Sequence, residues 1–175
     1  MRRLLSLLAC LVAVGGTAVG GVPANAGVAD VDAAYCPYGA ITGVGTWSPA
    51  ETVTPAAHSF AWDTFGTCAG TGDDSGSYHI TFYGTAFDSC EVGNGGGSLS
   101  GSGPEGAISG NFTFYRGGIH LYINGNFFSG GDQHTLQYWL DVLPSGSQVV
   151  CDYTTANLIG HGAIADSGAG ARSAA

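Results

Sequence analysis

Between residues 35 and 165, polar and apolar side chains alternate along short segments rich in Thr, Tyr, Phe, Ile and Val. Glycine-rich stretches separate these segments, and none of them sustains the period of about 3.6 residues that marks an amphipathic helix. Side chains of a strand point alternately to opposite faces, so this pattern predicts an antiparallel all-β domain. We predict eight strands, at residues 39–47, 58–68, 77–90, 97–101, 107–115, 118–128, 133–143 and 149–162.

The alternation also divides the strands into two faces. One face is apolar and forms the predicted core: Ile80, Phe82, Ile108, Phe112, Phe114, Ile119, Leu121, Ile123, Leu136, Tyr138, Leu140 and Val142. The opposite face is polar but unusually aromatic. It supplies the candidate ligand-binding residues Tyr83, Asn111, Tyr115, His120, Tyr122, Asn124, Gln137 and Trp139. Flat rings beside amide groups suit the stacking and hydrogen bonding that hold a sugar or a protein surface. The alternative is a solvated face on which Thr and Tyr simply favour strand structure.

Short connections between consecutive strands favour an up-and-down barrel over a two-sheet sandwich, because closing the sheet removes its exposed edges. The tightest predicted turn is Arg116-Gly117-Gly118, where glycines can adopt the positive φ angles of a hairpin. In an up-and-down order, Cys36 and Cys68 fall at one end of the barrel, and Cys90 and Cys151 fall at the other. We therefore favour disulfides within each of these two pairs.

The first 26 residues have the order of a secretory signal peptide: Arg2-Arg3, an apolar run at 4–14, and small residues ending in Ala24-Asn25-Ala26. We expect cleavage after Ala26. The apolar run is shorter than the roughly 20 residues of a membrane span. A lipidated Cys10 is disfavoured, because only a short apolar stretch precedes it. The remaining organisation is predicted as a flexible lead-in at 27–34, a single domain at 35–165 and a flexible tail at 166–175.

Charge narrows the possible partners. Lys is absent from the chain, and only Arg116 and Arg172 remain as cations after the predicted cleavage. All 13 acidic residues lie in the same part, which gives it a net charge of −11. Nucleic acids and anionic membranes are therefore poor partners, because both are bound through clustered Lys and Arg. The wide spacing of the four remaining cysteines favours disulfides over a zinc site.

Candidate catalytic groups are scattered along the chain. The five histidines, His58, His79, His120, His134 and His161, never occur two residues apart, so we expect surface or structural roles, with a distant constellation such as His79 and His120 left open. The carboxylates Asp63, Glu91, Glu105, Asp141 and Asp152 could form an acid–base pair only if the fold brings two together. Asp73-Asp74 has the composition of a turn. No G-x-S-x-G motif occurs. We therefore assign no catalytic residue, no metal and no cofactor.

These observations favour a secreted, extracellular, non-catalytic module that binds a glycan or a small ligand through the polar aromatic face. The alternative is a secreted protein-interaction, inhibitor or cell-envelope protein. A small hydrolase is the least favoured of the three, so we expect a binding protein whose partner is an extracellular glycan or protein.

Overall fold

The computed structural model describes residues 33–144 and 151–167. The predicted signal peptide, most of the lead-in and most of the tail lie outside the described residues. The described chain forms eight antiparallel strands and one short 3-10 turn at Gly72–Asp74. The strands are β1 (Ala33–Thr52), β2 (Ala56–Gly70), β3 (Gly76–Asp88), β4 (Val92–Gly103), β5 (Gly106–Gly117), β6 (His120–Ser129), β7 (Asp132–Pro144) and β8 (Asp152–Asp166).

The sheet closes on itself. Each strand pairs with the next one in the chain, and β8 returns to pair with β1. The prediction of an all-β, up-and-down barrel is confirmed. Within the described ranges, the structure contains no helix long and apolar enough to cross a membrane.

Two strands are much longer than their sequence pattern predicts. In β1, the pairing register shifts between Tyr35 and Ile41, and Gly39 has a φ of +83° in this bulge. A bulge interrupts the alternation of side chains, so the sequence pattern did not predict the parts of β1 that lie outside residues 39–47. In β4, residues 93–97 are mostly glycine, so they show no alternation of side chains although they form strand. The lack of side chains lets the neighbouring backbones approach closely. A Cβ at Gly97 would collide with the carbonyl oxygen of Tyr83.

Side chains fill the centre of the barrel. Every predicted core residue is buried except Ile119, which is 42% exposed. Burial of Ile119 was therefore a wrong prediction. The turn lies at Gly118 and Ile119, β6 begins only at His120, and Arg116 is a buried residue of β5. The sequence pattern also missed Trp62, which is the largest fully buried side chain of the described residues and stacks on Phe60 with ring centroids 4.2 Å apart.

Both predicted disulfides are confirmed. Cys36–Cys68 joins β1 to β2 where β1 begins, and we call this end of the barrel the Cys36 end. Cys90–Cys151 ties the connection between β3 and β4 to the residue before β8, and we call this opposite end the Cys90 end. The two bridges thus staple opposite ends of one closed sheet.

Candidate functional site

The outer surface of β5, β6 and β7 brings together seven of the eight candidate ligand-binding residues. Cross-strand pairing places Tyr115 opposite Tyr122, and Tyr122 opposite Trp139. Asn124 pairs with Gln137, so these amides form the next row of the same surface. The seven residues are Asn111, Tyr115, His120, Tyr122, Asn124, Gln137 and Trp139, all exposed except the half-buried Trp139.

The eighth candidate, Tyr83, lies on β3 and is separated from β5 by β4. It is exposed and pairs with Ser98, which in turn pairs with Asn111. Tyr83 therefore shares the outer surface and the register row of Asn111, but it stands outside the aromatic group of β5 to β7.

Strands β8 and β1 extend that aromatic group with two further rings. Trp139 pairs with His161 on β8, and their rings are nearly parallel at 9° with centroids 5.2 Å apart. Tyr38, in the bulge of β1, follows with its ring centroid 6.1 Å from that of His161. We call the row Tyr115, Tyr122, Trp139, His161 and Tyr38 the aromatic ribbon. It crosses five strands on the outside of the barrel.

Sequence reasoning missed Tyr38 and His161 as members of this surface. Gly160-His161-Gly162 carries no aromatic neighbours, and Tyr38 belongs to a bulge in which the alternation fails. Only the pairing of β7 with β8, and of β8 with β1, brings the two rings beside Trp139.

Asp141 accepts hydrogen bonds from Tyr38 of the ribbon and from His120 beside it. His120 donates from Nδ1 to Oδ1 of Asp141 at 2.6 Å, and the Tyr38 hydroxyl donates to Oδ2 at 2.9 Å. The hydrogen bond to Asp141 raises the pKa of Tyr38 above its ordinary value. Tyr38 therefore remains a neutral phenol at physiological pH, and both Asp141 oxygens are already engaged.

A surface depression of about 210 Å³ lies beside these groups, lined by Tyr38, His120, Tyr122, Trp139, Leu140, Asp141 and His161. It is smaller than the roughly 300–1,000 Å³ of typical small-molecule pockets. A second depression, of about 250 Å³, lies along β5 and β6 and is edged by the amides of Asn111, Asn124 and Asn126. Shallow, separated hollows suit a ligand that lies across the surface better than one that is enclosed.

The Cys90 end of the barrel contains a buried ionic group. Arg116 Nη1 lies 3.2 Å from Glu51 Oε1, with both side chains at most 2% exposed, and Nη2 donates to the Tyr153 hydroxyl. His58 and Asp88 complete the group, with His58 Nε2 3.9 Å from Asp88 Oδ1. Burial raises the pKa of Glu51 to about 8, although Arg116 opposes this effect. A largely protonated Glu51 beside one arginine and one aspartate gives a group close to neutral.

Two groups of side chains place a histidine and two carboxylates close enough to hold a metal ion. They are Glu51, His58 and Asp88 at the Cys90 end, and Asp74, His134 and Asp166 at the Cys36 end, each with ligand atoms within 4.8 Å of one another. Sequence spacing missed both, because their members lie on different strands and turns. Asp74, which belongs to the predicted turn Asp73-Asp74, is buried at the end of the 3-10 turn.

The remaining candidate groups do not converge. His79 pairs with Asp63 at 2.7 Å on the outside of β2 and β3, whereas His120 pairs with Asp141 on β6 and β7. Glu91 and Asp152 are exposed. The structure therefore places His79 and His120 on strands that are not neighbours, each with its own carboxylate.

No family model, curated protein or solved structure matches the chain.

Proposed function

We propose that the protein is a secreted, non-catalytic module that binds a neutral glycan along the aromatic ribbon. The observation that carries the proposal is the row of five rings across β5 to β8 and β1, with amides in the adjoining rows. Sugar rings stack on flat aromatic faces through their apolar C–H groups, and their hydroxyls need hydrogen-bonding partners beside the rings. Asn124 and Gln137 offer both donors and acceptors in the next row.

Charge favours a neutral glycan over an acidic one. Thirteen acidic residues oppose four arginines in the whole chain, and only Arg116 of the four lies in the described residues, where it is buried. The described surface therefore offers no exposed Lys or Arg to a sulfate or uronate group. Neutral polysaccharides avoid the repulsion that a polyanion would meet.

The residues at the ribbon support binding rather than sugar cleavage. Most glycoside hydrolases use two carboxyl groups about 5–9.5 Å apart. Asp141 is the one acid that lines the depression beside the ribbon, and its two oxygens accept hydrogen bonds from His120 and Tyr38. A secreted location is supported by the N-terminal pattern of residues 1–26 and by two disulfides, which persist mainly in oxidising compartments.

The test is binding to a panel of neutral polysaccharides. Soluble β-glucan, xylan and galactomannan are used in affinity electrophoresis and calorimetry, and cellulose and chitin in pull-down assays. We expect at least one of them to bind, and both Tyr122→Ala and Trp139→Ala to weaken binding about tenfold. The matched control is Phe128→Ala, because Phe128 is an exposed ring on the same strand and face as Tyr122 but outside the ribbon.

Two results would overturn the proposal. One is the absence of binding to every polysaccharide of the panel. The other is binding that Phe128→Ala weakens as much as Tyr122→Ala does, because the ribbon would then not be the binding surface. Co-purification of a single extracellular protein in place of glycan binding would favour the protein-interaction alternative.

A further inference from the structure

The Cys36 end of the barrel closes over a cluster of three carboxylates around one imidazole. Asp74 comes from the 3-10 turn before β3, Glu105 from the turn between β4 and β5, His134 from β7 and Asp166 from the end of β8. The His134 and Asp74 side chains are each 3% exposed, whereas Asp166 is 32% exposed and borders solvent. Phe127 stacks on the His134 ring at 5.0 Å and fixes its plane.

The two nitrogens of His134 face different surroundings. Nε2 donates to the carbonyl oxygen of Ser129 at 3.4 Å, and Oε2 of Glu105 lies 3.0 Å from it. A carbonyl oxygen only accepts, so we assign a proton to Nε2. Nδ1 lies 3.0 Å from Oδ1 of Asp74 and 3.0 Å from Oδ1 of Asp166.

Nδ1 has no hydrogen-bond partner, although it is buried, and neither does Oδ2 of Asp74. In the tautomer with its proton on Nε2, Nδ1 presents a lone pair to two carboxylate oxygens. Three electron-rich atoms then face one another, two of them on the buried side chains of His134 and Asp74, which is costly unless a cation lies between them.

The Cys90 end of the barrel contains a similar cluster, in which an arginine supplies the positive charge. There, Arg116 Nη1 lies 3.2 Å from Glu51 Oε1, and His58 and Asp88, 3.9 Å apart, belong to the same group. At the Cys36 end no arginine or lysine is available from the described residues, because Arg116 is the only one among them.

We propose that Asp74, His134 and Asp166 bind a Zn²⁺ ion through Oδ1, Nδ1 and Oδ1, with Glu105, whose Oε2 lies 3.0 Å from Nε2, as a positioning residue beside the imidazole. Imidazole nitrogen with carboxylate oxygens is a ligand set that suits zinc, whereas Ca²⁺ and Mg²⁺ take oxygen ligands. A histidine that binds a metal ordinarily directs its other nitrogen to a carboxylate or carbonyl, as Nε2 does here.

The geometry needs only a small adjustment. Zinc–ligand bonds of about 2.0–2.2 Å set neighbouring ligand atoms about 3.3–3.6 Å apart in a tetrahedron. The present separations of 3.0 Å would open by a few tenths of an ångström. Three protein ligands leave the fourth position to a water on the exposed side of Asp166. The ion would tie the 3-10 turn to β7 and β8, independently of any glycan at the ribbon.

The test is calorimetric titration of the purified, chelator-treated chain, prepared without a histidine tag, with ZnCl2. We expect one Zn²⁺ per chain, a Tm that rises with zinc concentration, and much weaker binding of CaCl2 and MgCl2. Asp166→Asn keeps the size of a partly exposed side chain and should weaken zinc binding at least tenfold. Glu105→Gln should weaken it about 10- to 100-fold.

The matched control is Asp141→Asn, which alters the exposed pair of Asp141 and His120 and should leave zinc binding unchanged. Absence of zinc binding by the unmodified chain would overturn the proposal. Unchanged affinity in Asp166→Asn, an equal loss in Asp141→Asn, or tighter binding of Ca²⁺ than of Zn²⁺ would overturn it as well.

Discussion

Replacement of Glu51 by glutamine tests the electrostatics of the Cys90 end. Glu51 is fully buried, 3.2 Å from Arg116, and burial raises its pKa from 4.5 to about 8. The unfolded chain releases this proton at a lower pH than the folded chain does. The stability that Glu51 contributes below about pH 4.5 is therefore lost progressively as the pH rises to about 8.

The magnitude follows from the difference between the two pKa values. At about 1.4 kcal/mol for each tenfold change, the shift from 4.5 to about 8 corresponds to on the order of 4–5 kcal/mol. Glutamine has nearly the same shape but cannot ionise. We therefore expect Glu51→Gln to match the unmodified chain near pH 4.5 and to exceed its free energy of unfolding by several kcal/mol at pH 8.

The assay is urea unfolding at pH 4.5, 6.5 and 8, followed by the fluorescence of the buried Trp47 and Trp62. Glu91→Gln is the control, because Glu91 is exposed and should show no such pH-dependent gain. If Glu51→Gln is less stable than the unmodified chain at pH 8, the reasoning is wrong. In that case an ionised Glu51 would stabilise the fold through its ion pair with Arg116.

Three further predictions concern the architecture. Arg116→Met removes the cation from a buried group and should cost about 3–5 kcal/mol, seen in calorimetry as a Tm lower by roughly 10 °C; an unchanged Tm would contradict this. Gly101→Ala places a Cβ against the carbonyl oxygen of His79 and should lower the free energy of unfolding in urea more than Gly118→Ala does. At Gly118 the space is open, and only the φ of +62° is unfavourable. Equal losses would argue against close strand approach at β4. Removing Cys90–Cys151, which spans 61 residues, should cost roughly 4 kcal/mol, slightly more than removing Cys36–Cys68, which spans 32; the reverse order would show that native-state strain outweighs loop length.

The two ends of the barrel use histidine and carboxylates differently. At the Cys90 end, Arg116 is the cation of the group. Burial raises the pKa of Glu51, so the group is close to neutral. At the Cys36 end three carboxylates share one imidazole. The pH experiment on Glu51 and the zinc titration thus test how buried carboxylates are compensated at each end of the barrel.

Local alternation of polar and apolar side chains was sufficient to predict the strands and part of the core. A period of two predicted the strands and sorted eleven buried core residues, Ile80, Phe82 and Leu121 among them, from the outer face. The order of the strands then placed the cysteines at opposite ends, which was enough to predict both disulfides. These features needed no knowledge of register, because each follows from neighbouring residues or from simple up-and-down topology.

Features that depend on strand register and barrel closure could not be read from the local pattern. The alternation could not show that β6 begins after Ile119, nor that the glycines of β4 allow neighbouring strands to approach. Pairing of β7 with β8 placed His161 beside Trp139, and closure of β8 against β1 added Tyr38. The ends of the strands gathered His134 with three carboxylates. These contacts join residues far apart in the chain, and a shift of one residue in pairing would turn each side chain to the other face.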